Sequence, residues 1–271
     1  MSLPPARLRA ASGLALAATL LLTVSGCLTK EPGRAAATAS VQPPSERHGP
    51  ADGTSGLTAA EAQAALITVE DLGVPWGPTD GAATWRDGLL KAVADAPGCQ
   101  RLLDALYSDE LWGDATGTHA VTALDDADEG AQLRYQVATR GPAEADRTLT
   151  WLRGLPQTCG RFTATTTSAG TQDIEVSEIE LPQVGDARQG LRITLTGRTA
   201  TDGSTSEDGE EGEDAEPSVL TLDIAAVRVG GDTIAVSNGC LGEVSADATG
   251  QALELGAERL SQVRKQGRAQ A

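Results

Sequence analysis

The amino-acid sequence predicts a domain of the α+β class, in which helices and strands share one chain. Some segments place apolar residues at positions i, i+3, i+4 and i+7, the spacing of one helix face. Others alternate apolar and polar residues, as half-buried strands do, and these fill most of the second half of the chain. Aromatic residues make up only 3% of the sequence, so the core must be built from Leu, Val, Ile and Ala.

The N-terminal residues have the pattern of a secretory signal. Arg7 and Arg9 precede an apolar run from Ala10 to Val24, which ends in Val24-Ser25-Gly26-Cys27. A positive end, a short apolar stretch and small residues at the cut define such a signal. The run is shorter than the ~20 residues that a membrane-spanning helix needs. We therefore predict a lipoprotein signal peptide over residues 1–26, cleaved between Gly26 and Cys27.

Cys27 completes a lipobox, in which its sulfur receives a diacylglyceryl group and its freed amine a third, palmitate-type chain. Two or three acyl chains hold a protein stably, whereas one chain binds only marginally. The alternative is ordinary secretion with an incidental cysteine. The sequence thus predicts attachment to the cell membrane through lipid on Cys27, on the extracytoplasmic face.

The folded domain is predicted over residues 57–267, after a flexible tether of residues 27–56 that is rich in Ala, Pro, Ser, Thr and Gly. Thr58 and Glu61 have the spacing of a capping box, so a short helix is expected to begin there and run to about Leu66. A Pro- and Gly-rich loop then leads to Trp85.

Two longer helices and two strands follow. The second helix is expected from Pro97, and it places Cys99 on the buried stripe that Leu102, Leu103 and Leu106 continue. Alternation predicts strands at His119–Leu124 and Gln132–Thr139. A third helix is expected from Pro142 to Leu155-Pro156, with Cys159 in the turn that leaves it.

The remainder is predicted to be mainly strands and one closing helix. The strands are Arg161–Thr167, Ile174–Ile179, Leu191–Leu195, Leu220–Val229 and Ile234–Val236. Gly230-Gly231-Asp232 predicts a hairpin turn between the last two. The closing helix begins near Asp247, and its basic end, Arg264-Lys265, complements the helix dipole. Residues 201–217 carry seven acids between Glu207 and Glu216, and they predict a disordered, solvated loop, with weak cation binding as the lesser alternative.

Charge restricts the partners of this protein. The net charge is −17, and it becomes −19 without a signal that carries two arginines and no acid. Such a surface argues against nucleic acid, whose phosphates select basic proteins, and against electrostatic binding to anionic lipid. The covalent lipid is the predicted link to the membrane.

The sequence lacks the residues of common catalytic sites, so no enzyme is predicted. His48, in the tether, and His119 are the only histidines. No G-x-S-x-G, S-x-x-K, H-E-x-x-H, P-loop or C-x-x-C motif is present. We therefore expect no catalytic residue, no metal ligands and no cofactor, although a pair of carboxylates of the glycosidase type stays open among so many acids.

Cysteines and tryptophans are the remaining candidates. With Cys27 lipidated, Cys99, Cys159 and Cys240 allow one disulfide and one free thiol. Trp76, Trp85 and Trp112 fall in loops or at helix ends, where a tryptophan stacks on a sugar or holds a lipid tail, and more often plugs the edge of a core. Trp151 lies in the third helix beside Leu152 and is expected in the core.

Three segments resemble actinobacterial lipoproteins related to the PknH-type extracellular sensor domain. They are Ala64–Gly73 with Trp76, Cys99–Leu103, and Leu152–Phe162. The resemblance implies a curved antiparallel sheet with helices packed on it, a groove for a ligand, and a disulfide between the positions of Cys99 and Cys159. The resemblance implies no catalytic residue. This sequence departs from the family by its acidic insertion and by Cys240, which leaves the pairing open.

These observations predict a non-enzymatic, lipid-anchored sensor or ligand-binding lipoprotein of the cell envelope. It would capture an envelope sugar or lipid in a groove between sheet and helices and pass the signal to an unknown protein partner. The alternatives are a lipid carrier or assembly lipoprotein and, more distantly, an envelope hydrolase. An apolar cavity that fits an acyl tail would favour the carrier. An open groove rimmed by Trp76, Trp85 or Trp112 would favour the sensor.

Overall fold

A computed structural model describes residues 56–113, 117–197 and 217–270. The predicted signal, the lipobox with Gly26 and Cys27, the tether up to residue 55 and the acidic insertion from 201 to 216 lie outside the described residues. In the ranges that are described, no helix is both long enough and apolar enough to cross a membrane.

The described strands join one antiparallel sheet. They are Trp76–Pro78 (β1), Val93–Ala94 (β2), His119–Asp126 (β3), Gln132–Thr139 (β4), Arg161–Thr166 (β5), Gly170–Glu178 (β6), Ala187–Gly197 (β7), Val219–Val229 (β8) and Asp232–Leu241 (β9). Their order across the sheet is β1-β3-β4-β9-β8-β7-β6-β5-β2. The predicted α+β class is thereby confirmed.

Helices flank this sheet. They are Ala59–Ala64 (α1), Val69–Leu72 (α2), Gln100–Ser108 (α3), Pro142–Thr158 (α4) and Ala246–Gln270 (α5), with a π-helical turn at Arg86–Leu90 and a 3₁₀ turn at Pro97–Cys99. The capping box before α1 is present: the Thr58 N–H donates to Glu61 Oε2 at 2.8 Å, and the Glu61 N–H donates to Thr58 Oγ1 at 3.2 Å. The backbone hydrogen bond from Thr58 lowers the pKa of the Glu61 carboxyl.

Each face of the sheet carries its own apolar core. Helices α3 and α4 cover one face, and α1 and α5 cover part of the other. Strand β8 serves both cores, because Leu222 and Ile224 belong to the first and Ala225 and Val227 to the second. It is buried without interruption from residue 220 to 227, as expected of a strand covered on both faces.

The structure corrects two boundaries that the sequence predicted and adds two short helical turns. Helix α4 runs past Pro156 to Thr158, because a proline in the last turn removes only one hydrogen bond near a helix end. The final strand was expected to be short but spans Asp232–Leu241, since polar Ser237 and Asn238 interrupt its apolar pattern and not its pairing. The turns at Arg86–Leu90 and Pro97–Cys99 are too short to leave a periodic signal.

A disulfide joins Cys99 to Cys159, with 5.7 Å between the two Cα atoms. Cys99 ends the 3₁₀ turn that leads into α3, and Cys159 caps the end of α4. Both helices bury their stripes in the same core, and this brings the two sulfurs together. The pairing implied by the resemblance is confirmed, and Cys240 is a free, buried thiol.

Helix α5 lies close against the sheet at Gly256. A Cβ atom at this position would overlap the hydroxyl end of Tyr135, a fully buried residue of β4. At Gly250, on the same helix, the nearest atom to an added Cβ is Pro182 Cδ at 4.0 Å. The two glycines therefore form a matched pair.

We predict that Gly256→Ala destabilises the protein by about 1–3 kcal/mol, as overpacking does. Gly250→Ala should stabilise it by up to about 1 kcal/mol, the helix-propensity difference between alanine and glycine. Urea unfolding followed by circular dichroism measures both. Equal effects of the two substitutions would contradict close packing at Gly256.

Candidate functional site

Alternate side chains of β4 form the floor of a groove on the α3 side of the sheet. Leu133, Tyr135 and Val137 point into the core beneath α5. Because side chains alternate along a strand, Gln132, Arg134 and Gln136 lie on the opposite face. All three are half-buried. We call this surface, with the two depressions described next, the β4 groove.

The first depression is an acidic pocket that encloses about 470 Å³. Carboxylates, an amide and one indole line it: Asp80, Asp125, Asp126, Glu129, Gln132 and Trp85. Gln132 Nε2 donates to Asp125 Oδ1 at 2.9 Å and to the Gly81 carbonyl at 2.8 Å. The backbone N–H groups of Asp128 and Glu129 both donate to Asp126 Oδ1. These bonds hold the polar groups of the pocket in place.

The second depression is an apolar pit beneath α3, next to Arg134 and Gln136. Its walls include Leu106, Leu111, Ile224 and Ala235, and its volume is about 20 Å³. About one water-sized sphere fits such a space. The pit is therefore far too small for an acyl chain.

Three charged residues meet beside the apolar pit, at the C-terminal end of α3. Arg86 contacts Asp109 twice, with Nη1–Oδ1 at 2.9 Å and Nη2–Oδ2 at 2.7 Å. It also donates to the Tyr107 carbonyl at the end of α3. Arg134 approaches the same carboxylate, with Nε–Oδ2 at 3.4 Å. Asp109 follows α3 in the left-handed conformation (φ 57°), which an aspartate tolerates better than most residues. Two cations thus share one anion.

Of the three tryptophans predicted as ligand contacts, only Trp85 lines the acidic pocket, and it is 8% exposed. Trp112 is 4% exposed and its Nε1 donates to the Ile234 carbonyl at 3.3 Å within the core. Trp76 is half-buried on β1 and packs toward the core beneath α5. Ligand contact by these side chains stays a prediction. Trp151 is half-buried, with the Arg101 guanidinium 4.0 Å from its ring centre.

The described residues offer polar recognition and no evident nucleophile or metal centre. Among them, no three His, Cys, Asp or Glu side chains are grouped so as to hold a metal ion. His119 is the first residue of β3, and its ring Nδ1 lies 3.3 Å from the Gly117 carbonyl. Burial, followed by the negative charges of Glu129 and Asp126, raises the pKa of the Cys240 thiol, which keeps it protonated.

Two solved mycobacterial structures align with this chain. No protein-family model and no curated protein matches this chain. The extracellular domain of PknH from Mycobacterium tuberculosis aligns with a TM-score of 0.45 and 14% identity, over 78% of this chain and 98% of that one. A putative uncharacterized protein (Rv0999 ortholog) from Mycobacterium smegmatis aligns with a TM-score of 0.36 and 13% identity, over 76% and 100%.

Sequence reasoning did not single out the charged residues of the β4 groove. Arg86, Asp109 and Arg134 are far apart along the chain, and each has ordinary neighbours. One signal was available: Gln132, Arg134 and Gln136 alternate with three large apolar residues. Such a pattern indicates that the second face of a strand is left for water or a ligand.

Proposed function

We propose that this protein is a lipid-anchored, extracytoplasmic sensor of the cell envelope that binds a ligand in the β4 groove without chemical conversion. The acidic pocket carries this proposal, because it combines about 470 Å³ of open space with polar groups fixed by hydrogen bonds. The Cys99–Cys159 disulfide supports an extracytoplasmic location, since disulfides persist outside the cytoplasm. A separate protein partner would receive the signal.

The lining of the pocket favours a polar ligand over a lipid. Carboxylates and amides exchange hydrogen bonds with hydroxyl and amino groups, and an indole such as Trp85 adds an apolar contact surface. An envelope sugar fits this description. The small size of the apolar pit argues against the alternative of an acyl-chain carrier.

The membrane attachment is tested at Cys27. We expect that Cys27→Ala abolishes both lipid attachment and the cleavage that follows it, because the thiol is the acceptor of the first acyl group. Metabolic labelling with a palmitate analogue measures this. Label of equal intensity on the variant would contradict the predicted anchor.

The ligand is tested by native mass spectrometry of the full chain, purified from its own membrane. We expect a co-purifying polar molecule on the wild-type protein. Asp80→Arg, which reverses a charge in the acidic pocket, should remove it. Glu254→Arg makes the same change at an exposed position of α5, on the other side of the sheet, and should leave the ligand bound.

Each other outcome has a definite meaning. A wild-type protein without any ligand would contradict the proposed function. A ligand retained by Asp80→Arg would place binding outside the acidic pocket. A long-chain lipid in place of a polar molecule would favour the carrier.

A further inference from the structure

Of the two arginines beside the β4 groove, Arg134 is the one that remains accessible to a ligand. Its side chain is 39% exposed, and within the described part of the chain its ion-pair partner is Asp109, at 3.4 Å from Nε. That Nε is buried and makes no hydrogen bond. Arg86, by contrast, makes a two-point contact with the same carboxylate and also caps α3. Arg134 therefore keeps donors for a ligand.

The charge of this cluster suits one negative group. Arg86, Asp109 and Arg134 together carry a net charge of +1 at neutral pH. The planar guanidinium of an arginine matches the two oxygens of a carboxylate. A dianionic phosphate fits less well, because the carboxylates of the acidic pocket are close by. Gln132 and Arg134 are two residues apart on one strand, which separates their Cα atoms by ~7 Å.

Two uncharged polar groups lie beside Arg134. Ser237 of β9 is directly opposite it in the sheet register, and Gln136 is the next residue on the same face of β4. Both line the pit and are half-buried. A hydroxyl and an amide next to a guanidinium supply further donors to a bound carboxylate.

The size of the apolar pit limits which substituent can lie next to the bound carboxylate. Leu106, Leu111, Ile224 and Ala235 leave about 20 Å³ beside Arg134. This is room for a methyl group and not for a chain.

We infer that the β4 groove recognises a carboxylate whose neighbouring carbon bears a methyl group, with Arg134 on the carboxylate and the methyl group in the pit. Alanine-type ends of peptides and lactate-type ethers of sugars both have this chemistry. The inference rests on the proposed function and makes its ligand specific. The acidic pocket would hold the hydroxyl or amino groups of the same ligand.

The test is a ligand-observed NMR titration of the full chain with small probes. N-acetylalanine represents a peptide end, and 2-methoxypropanoate represents a sugar ether. We expect saturable binding of at least one, with a dissociation constant of about 1 mM or lower. The amide of N-acetylalanine lacks the charge, and N-acetylleucine is too large for the pit. Both should bind about tenfold more weakly or worse.

Substitutions test the carboxylate contact at Arg134 and the methyl contact in the pit separately. Arg134→Gln should weaken binding about tenfold or more, and Arg134→Lys should restore part of it. Ala105→Leu, on the half-buried side of α3, should fill the pit and exclude N-acetylalanine while acetate still binds. Arg161→Gln is the matched control, because Arg161 is 81% exposed and its ion pair with Glu175 lies on the other face of the sheet. It should bind like the wild type.

The inference is overturned if the wild type binds neither probe, if the amide binds as well as the acid, or if Arg134→Gln binds like the control. Its failure is distinct from failure of the proposed function. If Asp80→Arg loses the native ligand while Arg134→Gln retains it, the pocket binds a ligand but Arg134 does not recognise it. Circular dichroism of each variant shows whether the fold is retained.

Discussion

Replacing Cys99 and Cys159 together by alanine is expected to lower the free energy of unfolding by about 4 kcal/mol. The disulfide links residues 60 positions apart, and in the chain-entropy model closing such a loop restricts the unfolded chain by this amount. Single domains are commonly stable by about 5–15 kcal/mol, so the loss is a large share of the total. Urea unfolding of the oxidised wild type and of the variant measures the difference.

Cys240→Ala is the control for this experiment. The Cys240 thiol is buried but free, and it contacts the Glu243 carbonyl at 2.9 Å. Its removal should cost about 1 kcal/mol, as for a typical single substitution. An equal loss in the control and in the double variant would contradict the assigned role of the disulfide. Peptide mapping of the non-reduced protein, with free thiols alkylated first, confirms which cysteines are linked.

Arg192→Met is expected to cost about 3 kcal/mol of stability. Asp223 on β8 is fully buried, and Arg192 on β7 contacts it twice, with Nε–Oδ1 at 2.7 Å and Nη2–Oδ2 at 2.8 Å. Removing one partner of a buried pair leaves a charge without compensation, which costs about 3–5 kcal/mol. The lower end of this energy range applies, because 35% of the Arg192 side chain is exposed and water reaches the site. Thermal and urea unfolding give the value.

Two further variants separate the lost pair from lost packing. Arg192→Met combined with Asp223→Val removes both charges, and it should recover most of the stability because no buried charge remains. Arg161→Met removes the arginine of an exposed pair on the same sheet face, with Glu175 56% exposed, and should cost less than about 1 kcal/mol. A double variant as unstable as Arg192→Met alone would show that the buried carboxylate is not the cause.

The two faces of β4 have different surroundings, because one packs in the core and the other lines the groove. Leu133, Tyr135 and Val137 hold α5 to one face, and Gln132, Arg134 and Gln136 form the groove on the other. A slip of one residue in the pairing would exchange the two sets, so the apolar core also sets the position of the groove. The close approach of Gly256 to Tyr135 reinforces this register.

Local chemistry was enough to predict many elements from the sequence. The capping box at Thr58 and Glu61, the apolar stripe of α3 and the hairpin at Gly230-Gly231 all depend on residues a few positions apart. Short-range periodicity and turn preferences determine such features. The disulfide needed the family resemblance, because three cysteines alone left its pairing open.

Only the tertiary structure decided where the groove lies and which residues form it. Sequence patterns predicted three tryptophans as its contacts, but burial of Trp112 and the placement of Trp76 depend on how distant segments pack. Arg86, Asp109 and Arg134 come from a π-helical turn, a helix end and a strand, and meet only because α3 packs across the sheet. The sequence by itself was enough for most helices and strands, and it predicts a lipoprotein signal, since each of these depends on neighbouring residues. Contacts between distant residues decided the site.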